Sequence, residues 1–151
     1  MTFKVSDVSI ARKGVKEEGF AVSIVRDGKR IFQSKTPGIS ALVTAIDKDR
    51  FYFKGASAAD RILGRAAAML FVYSGIVCVF AQTASNDALT ALDKFEIPVE
   101  SERIVPAILN RSRTSSCPFE ELVQNVHDPE EAFKRLRVCK TPRSTMVRWI
   151  F

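Results

Sequence analysis

The sequence predicts an α/β fold: a mixed sheet that opens with a β-hairpin and carries helices on both faces. Three observations predict it. Asp27-Gly28 stands between an apolar run at 20–25 and Ile31-Phe32, a strong turn signal for an antiparallel hairpin. Downstream, segments with apolar residues at helical spacing alternate with runs rich in β-branched residues. The 151 residues, 46% hydrophobic and 26% charged, suit one domain with a single core and show no repeat or low-complexity linker.

The elements follow in order. The first strand covers 20–25, its partner begins at Ile31, and Pro37-Gly38 stops the sheet. Ile39, Leu42, Val43 and Ile46 share a helical face, which predicts a helix over 39–46. Phe51-Tyr52-Phe53 reads as a short strand or an extended packing segment. The Ala- and Leu-rich stretch 57–72 reads as a second helix, broken at Ser74-Gly75. Residues 76–81 (Ile-Val-Cys-Val-Phe-Ala) read as a buried strand. A helix over 85–95 has apolar positions at 88, 89, 92 and 95, and 98–105 is extended along a sheet edge. Helices over 118–126 and 129–138 each carry proline in the first turn. Residues 1–138 form the domain. Residues 139–151 form a basic, aromatic tail that packs on the domain or on a partner.

Composition narrows the function classes. Three cysteines, none in a C-x-x-C pair, fit a reduced cytoplasmic protein better than a disulfide scaffold. No charge occurs between Arg65 and Asp87, but the apolar part, 66–81, is shorter than the roughly 20 residues a bilayer requires. A membrane role is not expected. The formal charge of +6 is concentrated after Glu131 (Lys134, Arg135, Arg137, Lys140, Arg143, Arg148), with no acid among those residues. A solvated helix face, followed by a tail docking Trp149 and Phe151, accounts for this better than nucleic-acid binding does.

Two stretches carry the candidate chemistry. In the first, Ser57 reads as a helix N-cap with Asp60 three residues on, a capping pattern. Asp60 then either supports the helix end or faces a cleft as an acid/base. Arg61 and Arg65, one turn apart, either clamp a phosphate or stand exposed. Gly64, a costly residue inside a helix, marks close approach of another backbone or of a ligand. In the second stretch, Asn110 and Arg111 precede a Ser-rich loop that ends at Cys117-Pro118-x-Glu120. Cys117 as N-cap is either a thiolate stabilised by the helix end, suited to a nucleophile, or a small buried cap closed by Glu120. A zinc deaminase needs H-x-E or C-x-E followed by P-C-x-x-C. The only histidine is followed by Asp128-Pro129, and Glu120 stands where a second cysteine would be needed. No cofactor or metal is expected.

Together, Asp60-Arg61-x-x-Gly64-Arg65-Ala-Ala-Ala, Asn110-Arg111 and Cys117-Pro118-x-Glu120 resemble an uncharacterised prokaryotic family of small cytidine-deaminase-like domains, over roughly residues 18 to 135. Lysines are usual in that family where this chain has Arg61 and Arg65. The resemblance implies a three-layer α/β/α sandwich of the deaminase type and a lost zinc site. It implies no reaction, since one fold hosts many functions. The function expected is binding of a nucleotide-like or other anionic small molecule. Its candidate catalytic residues are Cys117, Glu120 and Asp60, and its candidate binding residues are Arg61, Arg65, Asn110 and Arg111. The alternative is an interaction or scaffolding module, such as a homodimer, that uses the apolar tail.

Overall fold

A computed structural model describes residues 5–109 and 117–138. Asn110, Arg111 and the tail 139–151 lie outside the described residues. The hairpin forms where the turn signal places it: Asp27 and Gly28 have φ of 53° and 78°, the paired left-handed conformation of a tight two-residue turn. It joins β1 (Val22–Arg26) to β2 (Lys29–Ser34). The chain continues through α2 (Ser40–Lys48), a 3-10 turn (Arg50–Phe53), β3 (Ser57–Leu63), α3 (Arg65–Ser74), β4 (Cys78–Ser85), α4 (Asn86–Lys94) and β5 (Val99–Val105). It closes with α5 (Pro118–Leu122) and α6 (Pro129–Val138). The strand order is β2-β1-β3-β4-β5. β1 is antiparallel to both its neighbours, whereas β3, β4 and β5 run parallel.

Helices lie on both faces of this mixed sheet. Alternating strand residues point to opposite faces. Val25, Ala59 and Phe80 pack with Ala11 and Val15 of α1 (Val5–Glu17). Ile24, Ala58, Val79 and Ala81 join the larger core, built with Val43 and Ile46 of α2, Leu70 and Phe71 of α3, Leu92 of α4 and Leu136 of α6. Asp7 ties α1 to the hairpin, accepting hydrogen bonds from the amides of Asp27 (3.0 Å) and Gly28 (2.8 Å).

Two expectations are corrected, and one helix is added. The stretch 57–72 is not one helix: Ser57–Leu63 is the central strand β3, and α3 starts only at Arg65. Alanine favours helix, but Ala58 and Ala59 are fully buried on opposite faces of a strand paired on both sides. Small side chains there let α1 and the opposite helix layer approach closely, and tertiary context overrides the local preference. Residues 50–53 form a 3-10 turn rather than a strand, with the Asp49 carboxylate accepting from the Phe51 amide. Helix α1 has no counterpart in the sequence reading. Its spaced Val8, Ala11 and Val15 are interrupted by Gly14, which lies against Ser23 of β1.

Candidate functional site

The parallel strands β3, β4 and β5 end side by side, at Leu63, Ser85 and Val105. Helix α3 begins directly after β3, with Gly64 as its N-cap. Helix α4 begins directly after β4, where the Ser85 hydroxyl accepts from the Ala88 amide at 3.1 Å. In open α/β sheets this carboxyl end is where ligands bind.

Glu120 reaches this end from α5. Its Oε1 accepts from the Arg65 amide at 2.7 Å and its Oε2 from the Ala66 amide at 2.9 Å. The carboxylate thus fills the N-terminus of α3, satisfying donors that a helix start leaves unpaired. Gly64 is small for that reason: a Cβ there would lie 2.6 Å from the Glu120 carboxylate. Burial raises the Glu120 pKa, and the half-exposed Asp87 raises it further, against the lowering influence of the two amides and of Arg65.

Arg65 completes the junction. Its side chain is buried, and its Nε and one terminal nitrogen donate to the carbonyls of Val123 (3.0 Å) and Val126 (2.6 Å). The same nitrogen lies 3.4 Å from His127 Nδ1, and the other terminal nitrogen lies 3.8 Å from Asp87. His127 stands in the turn between α5 and α6. The two stretches singled out in the sequence therefore meet, through Gly64 and Arg65 on one side and Glu120 on the other.

Beside Glu120 lies a cavity of about 220 Å³ lined by residues 85–87 and 106–108 together with Glu120, Glu121 and Gln124. Among the described residues its ionisable lining is acidic, and Arg65 is already engaged by backbone carbonyls. Among the described residues, no group of three His, Cys, Asp or Glu side chains is arranged to hold a metal ion.

The other predicted residues are placed differently. Arg61 and Arg65 do not share a helix face: Arg61 lies on β3 and donates to the Gly19 carbonyl at 2.9 Å, so the expected phosphate clamp is absent. Asp60 does not cap a helix. It lies in β3 and lines a separate small cleft of about 20 Å³ with Ile39, Leu42 and Ala67. The first turn of α3 divides the two places: the Ala66 amide serves Glu120, while Ala67 lines the Asp60 cleft. Signals for Ser85, Asn86 and Asp87 were present as the start of a predicted helix, but nothing local marked them as cavity residues.

Cys117 is a correction in chemistry. It is the N-cap of α5, yet it is fully buried, and its amide donates to the Ile108 carbonyl at 3.1 Å. Burial pushes its thiol up to about 12, with Glu120 and Glu121 adding to the rise. The thiolate that a nucleophile requires is therefore disfavoured at neutral pH. In a Cys78→Ser/Cys139→Ser variant, Cys117 is expected to resist a disulfide exchange reagent at pH 7.5 until denaturant is added. Rapid labelling of the folded protein would contradict this.

Desolvation in its cleft pushes Asp60 up to about 8, against the lowering hydrogen bond from the Ile62 amide and the charge of Arg61. In the unfolded chain the same group ionises near pH 4. Between those values the folded state holds a proton that the unfolded state has lost. The stabilising contribution is thus complete below about pH 4 and disappears as pH rises towards 8. Asp60→Asn is expected to flatten the pH dependence of the urea midpoint in this window and to exceed the parent protein in stability at its alkaline end. Identical slopes for the two proteins would refute the assignment.

Residues 10–138 match the model of a family described as TM1506, Domain of unknown function (DUF1893). The fold is similar to the crystal structure of a DUF1893 family protein (TM1506) from Thermotoga maritima at 2.70 Å resolution, with a TM-score of 0.81 and 24% identity. That similarity covers 91% of this chain and 92% of the other. No curated protein matches the chain. With the family match spanning most of its length, the chain belongs to the DUF1893 family of domains of unknown function.

Proposed function

We propose that this domain binds a nucleoside-like small molecule in the cavity at the carboxyl ends of its parallel strands, on a three-layer sandwich of the deaminase type. The observation that supports it most is a polar cavity lined by the start of α4 and by Glu120, whose carboxylate is bonded to the Arg65 and Ala66 amides of the first motif. Its lining refines the ligand class expected from sequence. Asp87 and Glu121 line it with carboxylates, Glu120 is bonded to the α3 amides, and Arg65 is turned to Val123 and Val126. A ligand presenting amino or hydroxyl donors suits this lining better than a phosphate does. Zinc does not suit it: both Glu120 oxygens already accept amides, and among the described residues no three His, Cys, Asp or Glu side chains are grouped to hold a metal ion. We therefore read the site as a binding site and assign no reaction step.

The test is a thermal-shift and calorimetry panel of nucleosides, nucleotides and ADP-ribose. A nucleoside at a hundredfold excess over its Kd adds about 2.7 kcal/mol, a rise of about 5–10 °C in Tm for a domain of this size. The matching nucleotide is expected to bind no tighter. Glu121→Ala and Asp87→Ala should each reduce the shift. A panel without any shift, or shifts untouched by both substitutions, would sink the reading.

A second reading is an interaction module that acts through strand β5. It lies at the sheet edge, with Ile104 56% exposed and Leu109 beyond it 41% exposed. Ile104→Lys should then lower the mass measured in solution. A variant and parent of equal mass would remove the homodimer form of this reading. The tail first considered for the role lies outside the described residues.

A further inference from the structure

The 3-10 turn at Arg50–Phe53 presents two large rings to solvent: Phe51 is 60% exposed and Tyr52 43%. Their position is held from beneath. Phe53 is fully buried and packs edge-on against Phe32 at 5.4 Å. Cations surround the rings. Lys48, Arg50 and Lys54 are exposed on the same short stretch. Arg26, at the end of β1, sets its guanidinium 5.7 Å from the Tyr52 ring centre and donates to the Tyr52 and Lys54 carbonyls. The Arg50 guanidinium lies 4.9 Å from the Phe51 ring and 4.1 Å from that of Tyr73, while its Nε donates to the Tyr73 carbonyl at 3.2 Å. The neighbouring acids offset this charge only in part: Asp47 is paired with Arg137 at 3.3 Å, and Asp49, which accepts from the Phe51 amide, is one negative charge against the four positive charges of Arg26, Lys48, Arg50 and Lys54.

We propose that this surface binds single-stranded nucleic acid, with bases stacking on Phe51 and Tyr52 and phosphates lying against Arg26, Lys48, Arg50 and Lys54. The partner must be anionic and must offer flat apolar faces. A single strand supplies both, whereas a duplex hides its base faces. A second copy of this chain does not fit, because a two-fold contact would set like charges against each other. An anionic bilayer fits less well, because each ring has a guanidinium beside it and does not stand clear of the cations, as insertion requires. In the sequence the excess positive charge gathers after Glu131, and the cations around Phe51 and Tyr52 come together only in the fold. The proposal is independent of the cavity reading above.

The experiment is fluorescence anisotropy of the full chain with a labelled 15-nucleotide oligo(dT), followed across a salt titration. Each phosphate contacted contributes about −0.7 to the slope of log K against log salt, so three or four contacts give about −2 to −3. Phe51→Ala and Tyr52→Ala are each expected to weaken binding by about 5- to 160-fold, the range of one lost stacking contact, with unchanged Tm. Lys54→Ala is expected to reduce the slope. The dA·dT duplex should bind more weakly than the single strand, and added nucleoside should not displace the strand. The proposal fails if no binding occurs at low salt, or if both ring variants bind as the parent does. It also fails if ring substitution abolishes association with phosphatidylserine vesicles while leaving the oligonucleotide bound.

Discussion

Gly64→Ala is expected to destabilise the protein by about 3 kcal/mol, far more than an ordinary cap substitution. The backbone is not the reason: Gly64 has φ −105° and ψ −179°, extended values open to any residue. The cause is the Glu120 carboxylate, which occupies the space a Cβ would need. To admit the methyl group, Glu120 must withdraw from the Arg65 and Ala66 amides. That forfeits two charge-assisted hydrogen bonds, each contributing about 1.5–3 kcal/mol, partly offset as the freed groups meet water. The diagnostic measurement is a double-mutant cycle by urea denaturation. In a Glu120→Ala background, Gly64→Ala should cost at most about 1 kcal/mol, the ordinary preference of a cap for glycine over alanine. Additive effects of the two substitutions would show that glycine is needed there for some other reason.

Arg65→Met is expected to cost about 3–5 kcal/mol. Methionine replaces the volume but leaves the Val123 and Val126 carbonyls without their donor in a buried place. The connection between α3 and the α5–α6 turn would be lost with it. Arg65→Lys should recover part of this. One ammonium cannot reproduce the fork that reaches both carbonyls, so a deficit of about 1–2 kcal/mol should remain. Asp87→Ala should shift stability by less than about 0.5 kcal/mol, because its contact with Arg65 is 3.8 Å long and Asp87 is 57% exposed. Equal losses for Arg65→Met and Asp87→Ala would mean that the ion pair, and not the carbonyl bonds, holds the junction.

These two predictions concern a site whose members were legible separately and whose arrangement was not. Gly64 was recognised as anomalous because glycine is expensive within a helix. The anomaly was real, but its setting was different: Gly64 lies outside the helix, and the group approaching it comes from residue 120. Cys117 was placed correctly as an N-cap, yet the charge expected on it depended on access to solvent, which the complete core burial of the residue removes. For Asp60 the sequence allows a helix-capping acid or an acid facing a cleft; it lies on a strand and lines a small cleft. Its actual partners on β1 and β4, Val22 and Ala81, are far away in sequence.

Local chemistry was sufficient for the turn at Asp27-Gly28, for helix α2 with its apolar positions at 39, 42, 43 and 46, and for the starts of α4 and α6. In each case the conformation depends on residues within one turn of one another. Strand β3, helix α1, the separation of Asp60 from Glu120 and the acidic lining of the cavity arose only when the chain closed on itself. Strand pairing and burial are set by neighbours far apart in the chain, and the site contacts span 55 residues for Arg65 and Glu120 and 61 for Arg65 and Val126. At that range no propensity or spacing rule carries information about which groups will share a desolvated space, and it is desolvation that sets the proton affinities of Asp60, Cys117 and Glu120.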